Sequence, residues 1–329
     1  MLLAYLIKLL FFFILPAIPG YVFFSRFFKE KNTLKSLVYA VGISPIFSLL
    51  GLYYFLLFFK GLSPWFYLST FTLPPFLMLL YKEKNYSIVF PKWYLFLASA
   101  ILIAAVFIYA SGKSLTEHDT IEYALQGKHF YNQVSVYYTP YPFHSENGFY
   151  YVGLHGFAFP LIFTWELFLN EVLHLQGNIL FQSINASYAV LLLLLIFSEM
   201  KKYGLKYALI ATLLIAFTSG FIFNALQFHL EMLRQYLFLV FIFMFVRSLQ
   251  SYSLLNMLMF AAIAGLQSTV HSISAIASAL ALAILIVYWI VNTNKKKYLH
   301  AFYSLAVLIL FGWIHYILDI LIGTGWILK

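Results

Sequence analysis

The chain has 329 residues, of which 63% are hydrophobic, 21% aromatic and only 9% charged, against about 25% charged in a soluble average. A water-soluble globule is excluded, and with no cysteine the chain has no disulfide framework, thiolate nucleophile or Cys-ligated metal. The net charge of +9 would point to nucleic acid in a soluble protein, but here the positions of the charges report topology.

The apolar opening, MLLAYLIKLLFFFILPAIPGYVFF, runs past the 7–15 residues of a signal-peptide core and reaches Arg26, so it is read as a retained span. Stretches long enough to cross a bilayer, roughly 17–25 residues, follow near 36–59, 63–81 and 93–110. Six more follow near 179–198, 206–223, 230–247, 253–271, 274–291 and 300–320. The fold class expected is an all-α polytopic membrane protein of about ten spans, with interfacial helices in one long extracytoplasmic loop.

The apolar stretch 156–174 is not counted as a crossing. Alternation without it puts the loops at 26–35, 82–92, 199–206, 247–252 and 292–299 on one side, and these hold 14 of the 20 Lys and Arg. The positive-inside rule makes that side cytoplasmic and both termini extracytoplasmic. Counting 156–174 would move Lys201, Lys202, Lys206 and the Lys295–Lys297 run outside. Its Glu166, Asn170 and His174 recur every four residues opposite Phe157, Phe163, Leu167 and Leu175, which suits an interfacial or re-entrant helix. Residues 111–178 then form one long outer segment, and long structured loops usually carry function.

Polar groups collect at this outer level. The loop contributes Glu117, His118, Asp119, Glu122, Lys128, His129, His144, Glu146 and His155, and the outer ends of later spans add His229, Glu231, Arg234, His271, His315 and Asp319. In EHDTIEYALQGKHFYNQ, a helix from Asp119 sets Asp119, Glu122, Gln126 and His129 on one face. Asp119 and Glu122 are candidate catalytic carboxylates, and equally a capping-box-like helix start. Arg234 suits phosphate through its planar fork and the helix start nearby, or snorkels to headgroups. His271 and His229 are further phosphate candidates or satisfied interface residues; His118, His129, Glu231 and His155 are other members of such a cavity. A divalent cation shared by Asp119, Glu122 and a substrate phosphate stays open, although no HExxH pattern occurs. The tract YYTPYPFHSENGFYY reads as a headgroup-level aromatic belt or a surface that stacks on sugar. Walker A, GxGxxG and GxSxG patterns are missing, and basic residues do not interleave with aromatics, so nucleotide cradles and nucleic-acid partners lack support.

A span ending outside, then HDTIEYALQGKHFYNQ, then HGFAFPLIFTWELFLNEVLHLQGN, then closely spaced spans resembles the catalytic module of GT-C-type glycosyltransferases, polytopic enzymes that use polyprenyl-phosphate-linked sugars. AAIAGLQSTVHS is similar to a Gly-containing span and polar outer turn of that module. The resemblance implies a seven-span module over 93–329 preceded by a three-span extension over 1–92. It implies Asp119 as catalytic base or acceptor-orienting carboxylate, Glu122 as supporting acid, and a polyprenyl-phosphate sugar donor bound among membrane lipids. Family members usually continue further, whereas this chain stops at Gly323–Lys329, which reads as a fragment, a minimal enzyme or a relative needing a membrane partner subunit. A flippase or transporter of lipid-linked glycans and a non-catalytic assembly subunit are the alternatives from other classes.

Overall fold

The computed structural model describes residues 1–28, 33–59, 61–80, 93–112, 118–133, 156–227, 231–292 and 298–317. Their regular structure is helical: α1 (Leu2–Leu9), α2 (Leu15–Phe28), α3 (Thr33–Phe58), α4 (Pro64–Leu80), α5 (Trp93–Ser111), α6 (His118–Gln133) and α7 (Ala158–Leu173) come first. There follow α8 (Ile179–Met200), α9 (Leu205–Ala216), α10 (Ser219–Ala225), α11 (Glu231–Gln250), α12 (Leu254–Val270), α13 (Ser272–Asn292) and α14 (Tyr298–Leu308). Among the described residues six helices are long and apolar enough to cross a membrane, or seven if the bent pair α9 and α10 is one span. This is an all-α, multi-pass membrane architecture.

Local chemistry shapes several of these helices. Pro16 has no N–H to offer the Phe12 carbonyl, and the turn before it, Leu10–Ile14, widens into a π-turn joining α1 to α2. The expected span at 206–223 is broken: α9 ends at Phe217, Thr218 accepts the Phe221 N–H as the cap of α10, and the axis bends by 69°.

The chain divides into two compact units. The first comprises Met1–Thr139 and Pro160–Leu233, and the second Pro140–Phe159 and Arg234–Lys329. In the first unit α8 packs against α1, α3, α5, α9 and α10. Gly20 lets α2 close on α3, since a Cβ there would stand 2.0 Å from Ser44 Oγ. Toward the basic end of α8, Glu199 accepts from Tyr39 Oη (2.6 Å) and Lys35 Nζ (2.9 Å). At its other end Asn185 donates to the Asn224 and Gln227 carbonyls (2.6 and 2.8 Å) and accepts from Met232 N–H (2.9 Å), stitching the end of α10 to the start of α11.

Helix α7 falls within the apolar stretch 156–174. Its first half is buried on all sides: Trp165 sits against Phe12 and Phe71 with ring centroids 5.2 and 4.9 Å away, and Tyr67 stacks on Phe168 at 5.0 Å. Glu166, on the polar stripe, is 0% exposed. Its carboxylate accepts from Lys8 Nζ (2.6 Å) and from the Leu180 and Phe181 N–H groups (3.0 and 2.8 Å). Those two amides belong to the first turn of α8, whose N–H groups have no partner within the helix. Lys8, also 0% exposed, donates in addition to the Gly177 carbonyl (2.5 Å), which Asn170 Nδ2 reaches at 3.1 Å. Glu166 faces inward because a buried helix start needs an acceptor and a buried ammonium needs a counter-charge, whereas Asn170 is half-buried and His174, beyond the end of α7, is exposed.

Removing one partner of a buried ion pair strands the other charge, at a cost of about 3–5 kcal/mol. Lys8→Met is therefore expected to lower the melting temperature of the detergent-solubilised protein clearly. The double variant Lys8→Met with Glu166→Gln should recover part of the loss, because no charge is left unpaired and the Gln oxygen still accepts from one of the two helix amides. An unchanged melting temperature in the single variant would contradict this arrangement.

Candidate functional site

In the second unit, small residues on α12 determine how its neighbours sit. A Cβ on Gly265 would lie 2.8 Å from Phe311 Cβ, and one on Gly312 would lie 2.0 Å from the Gly265 carbonyl. The π-turn Ile309–Trp313 that continues α14 thus rests directly on the Gly265 face, where Tyr316 Oη donates to the Ser268 carbonyl (2.6 Å). The segment before α7 clamps the end of α12: Gly156 N–H donates to the Val270 carbonyl (3.1 Å), and a Cβ on Gly156 would meet the Thr269 carbonyl at 1.8 Å. Helical spacing puts Gln267 and His271, four residues apart, together and away from the Gly265 face.

That other face of α12 lines a cleft of about 390 Å³. Arg234, Gln235, Phe238 and Phe241 of α11 form one wall, and Ile273, Ser274, Ala277 and Ser278 of α13 form another. Gln267 and His271 lie between them in the sequence and contribute to the same lining. Arg234 and Gln235 are the fourth and fifth residues of α11, whereas Ile273 and Ser274 lie in the opening turn of α13, so the positive end of the α13 dipole belongs to this cleft. Among its lining residues there is one permanent cation, Arg234, and no carboxylate.

His271 has a structural task as well. Its backbone is extended, it precedes α13, and its Nδ1 accepts from the Ile273 N–H (3.2 Å), a side-chain cap of that helix. An accepting Nδ1 leaves the proton of the neutral ring on Nε2, where it is a hydrogen-bond donor. The burial of the lining is graded. Gln267 is 3% and Ser278 1% exposed, Arg234 and His271 are half-buried, and Phe238 and Ile273 are 47% and 69% exposed. The cleft therefore has a polar floor and an apolar rim.

Of the expected site residues, Arg234 and His271 are brought together here. Asp119 and His118 lie in the first turn of α6, which starts one residue earlier than expected, and their side chains fall outside the described structure. Glu122 and His129 are half-buried on α6, in the first unit. Helix α6 buries Thr120, Tyr123 and Phe130. It meets α7 at Gly127, where a Cβ would stand 2.5 Å from the Pro160 carbonyl and where Thr164 Oγ1 donates to the Gly127 carbonyl (2.9 Å). Tyr131 donates to Glu171 (2.7 Å), and burial followed by that carboxylate pushes its phenol up to about 12. Glu231 opens α11. His229, His155, Glu117, His144, Glu146 and Asp319 lie outside the described residues. Among the described residues no group of three or more His, Cys, Asp or Glu gathers as cation ligands.

Sequence reasoning named neither Gln267 nor Ser278 as a site residue. Its one signal was a polar side chain in an apolar run, which does not say which face it occupies. No family model, curated protein or solved structure matches the chain.

Replacing His271 by Ala removes the acceptor for the Ile273 N–H and should destabilise the start of α13 by about 1 kcal/mol. His271→Asn, which keeps a short acceptor at that position, should restore the melting temperature to near wild type. Equal losses in the two variants would show that capping is not what His271 does for stability.

Proposed function

We propose that this chain is an integral membrane glycosyltransferase that moves a sugar from a polyprenyl-phosphate-linked donor to an acceptor at the extracytoplasmic face. The observation that carries this reading is the cleft that Arg234 and His271 share, positive, without a carboxylate, and rimmed by exposed Phe238 and Ile273. An anion joined to a long apolar tail is the ligand that such a surface suits. In this reading the chain crosses the bilayer ten times. The shorter helices α4, α5 and α12 and the bent pair α9 and α10 complete the count, and both termini are extracytoplasmic.

Arg234 holds the donor phosphate through its planar fork, the His271 Nε2–H adds a donor, and the opening of α13 supplies partial positive charge. Asp119 takes the proton of the acceptor hydroxyl as its oxygen attacks the anomeric carbon. The bond from that carbon to the phosphate oxygen breaks, and polyprenyl phosphate leaves with its charge held at Arg234. Glu122 supports Asp119. General-base help is worth about 10²–10⁴-fold, and stabilisation of the departing phosphate adds to it. A transporter of lipid-linked glycans is the second reading, favoured by the break between α9 and α10, because discontinuous helices form the binding sites of many transporters.

Mass spectrometry of lipid co-purified with the wild-type protein is expected to find a polyprenyl phosphate or its glycoside, and Arg234→Gln to lose it. Asp119→Asn should keep the folded protein and the bound glycoside but lose transfer to acceptor by at least about a hundredfold. Normal turnover in that variant would remove Asp119 from the mechanism, and intact lipid binding without turnover in wild type would favour the transporter. Since the chain has no cysteine, single replacements also report orientation. Lys128→Cys should react with a membrane-impermeant maleimide from outside intact cells, and Lys202→Cys should not; the reverse pattern would invert the topology.

A further inference from the structure

Two polar side chains that line the cleft each carry an atom with no hydrogen-bond partner among the described residues. Gln267 Oε1 and Ser278 Oγ are buried and have no hydrogen-bond partner among the described residues, and both residues line the cleft. Buried polar side-chain atoms are nearly always paired, so an orphaned pair in one cavity asks what completes it. Serine in a helix commonly bonds the carbonyl one turn back, as Ser183, Ser187 and Ser304 do here, whereas Ser278 does not. An ionised phosphate offers acceptors only and leaves an amide oxygen unmatched. Whichever way the Gln267 amide is turned, it presents a donor and an acceptor side by side, and the complement of that pair is a hydroxyl group.

We propose that Gln267 and Ser278 are the specificity-determining floor of the cleft, reading hydroxyl groups of the occupant's headgroup while Arg234 and His271 hold its phosphate. The occupant is then a lipid phosphate that carries a polyhydroxylated group, and a bare lipid phosphate fills only the anionic half. The inference rests on the reading of the cleft as a lipid-phosphate site. The division of labour follows from burial: the two unpaired groups are the most enclosed polar residues of the lining, and the cation and imidazole are half-buried.

The full-length protein in detergent can be titrated by native mass spectrometry with a polyprenyl phosphate, the same lipid bearing one hexose, and inorganic phosphate. Wild type is expected to bind the hexosyl lipid at least about tenfold more tightly than the bare lipid, since sites built to pair a hydroxyl reject analogues lacking it. It should bind inorganic phosphate most weakly. Gln267→Leu combined with Ser278→Ala should bring the ratio of the two lipids to about one by weakening the hexosyl lipid at least about tenfold. Arg234→Gln should weaken both lipids alike. Without ligand the double variant should melt no lower than wild type, because it removes unpaired buried polar atoms; Gln267→Met provides an independent apolar replacement. Equal affinity of wild type for the two lipids, or a preference that survives the double variant, would overturn the assignment of Gln267 and Ser278 while leaving the phosphate site standing. Inorganic phosphate binding as tightly as either lipid would overturn the lipid part of the proposal. Failure of wild type to bind any of the three probes, or indifference of both lipids to Arg234→Gln, would overturn the underlying site and this inference together.

Discussion

A lysine ammonium and a glutamate carboxylate, both shut off from solvent, hold the first unit together. Lys8 comes from the first helix, Glu166 from α7, and the amides that Glu166 accepts from open α8. Taking either charge out of water is expensive, and attraction between the two repays it only when the remaining donors and acceptors are also satisfied. Here they are: the carboxylate meets one ammonium and two helix amides, and the ammonium meets the Gly177 carbonyl as well. The same contact ends the irregular turn between α7 and α8, where His174 takes a left-handed backbone (φ 50°) and the Leu175 N–H returns to the Asn170 carbonyl (2.9 Å). The axis of α8, against which five other helices pack, is thereby tied to the N-terminal helix and to α7.

The second unit is governed by close approach instead of charge. Gly156, Gly265 and Gly312 each stand where a Cβ would overlap a backbone atom of a neighbouring segment. With the Gly265 face of α12 covered, the Gln267 and His271 face is left for a ligand. Polar side chains inside a packed helical unit are costly, and most here satisfy themselves locally, as Ser268 does on the Gly265 carbonyl (2.6 Å) and Thr269 on the Leu266 carbonyl (2.7 Å). Gln267, Ser278 and Trp313 stand apart from that pattern, and the first two of them line the cleft.

Much of the fold was legible in the sequence. Most of the described residues in the ten apolar stretches are helical, because a run of apolar side chains in a bilayer leaves the backbone no partner but itself. The break at Phe217 and Thr218 and the π-turn after Leu308 were not legible, since each depends on which neighbour presses against the helix. Of the candidate site, Arg234 and His271 could be named from polar residues at span ends, but the floor formed by Gln267 and Ser278 could not. A lone glutamine or serine in a span is usually a satisfied residue, and only contacts distinguish one that is not.

The sequence by itself determined the class of protein and most of the helical segments, because these follow from hydrophobicity read along the chain. It also marked Glu166, Asn170 and His174 as one stripe of α7. Tertiary structure decided that Glu166 turns inward to Lys8 and the start of α8, and that Arg234 and His271 share a cleft whose floor is polar and unpaired. Periodicity specifies which residues share a face, whereas the direction of that face depends on charges and carbonyls more than a hundred residues away.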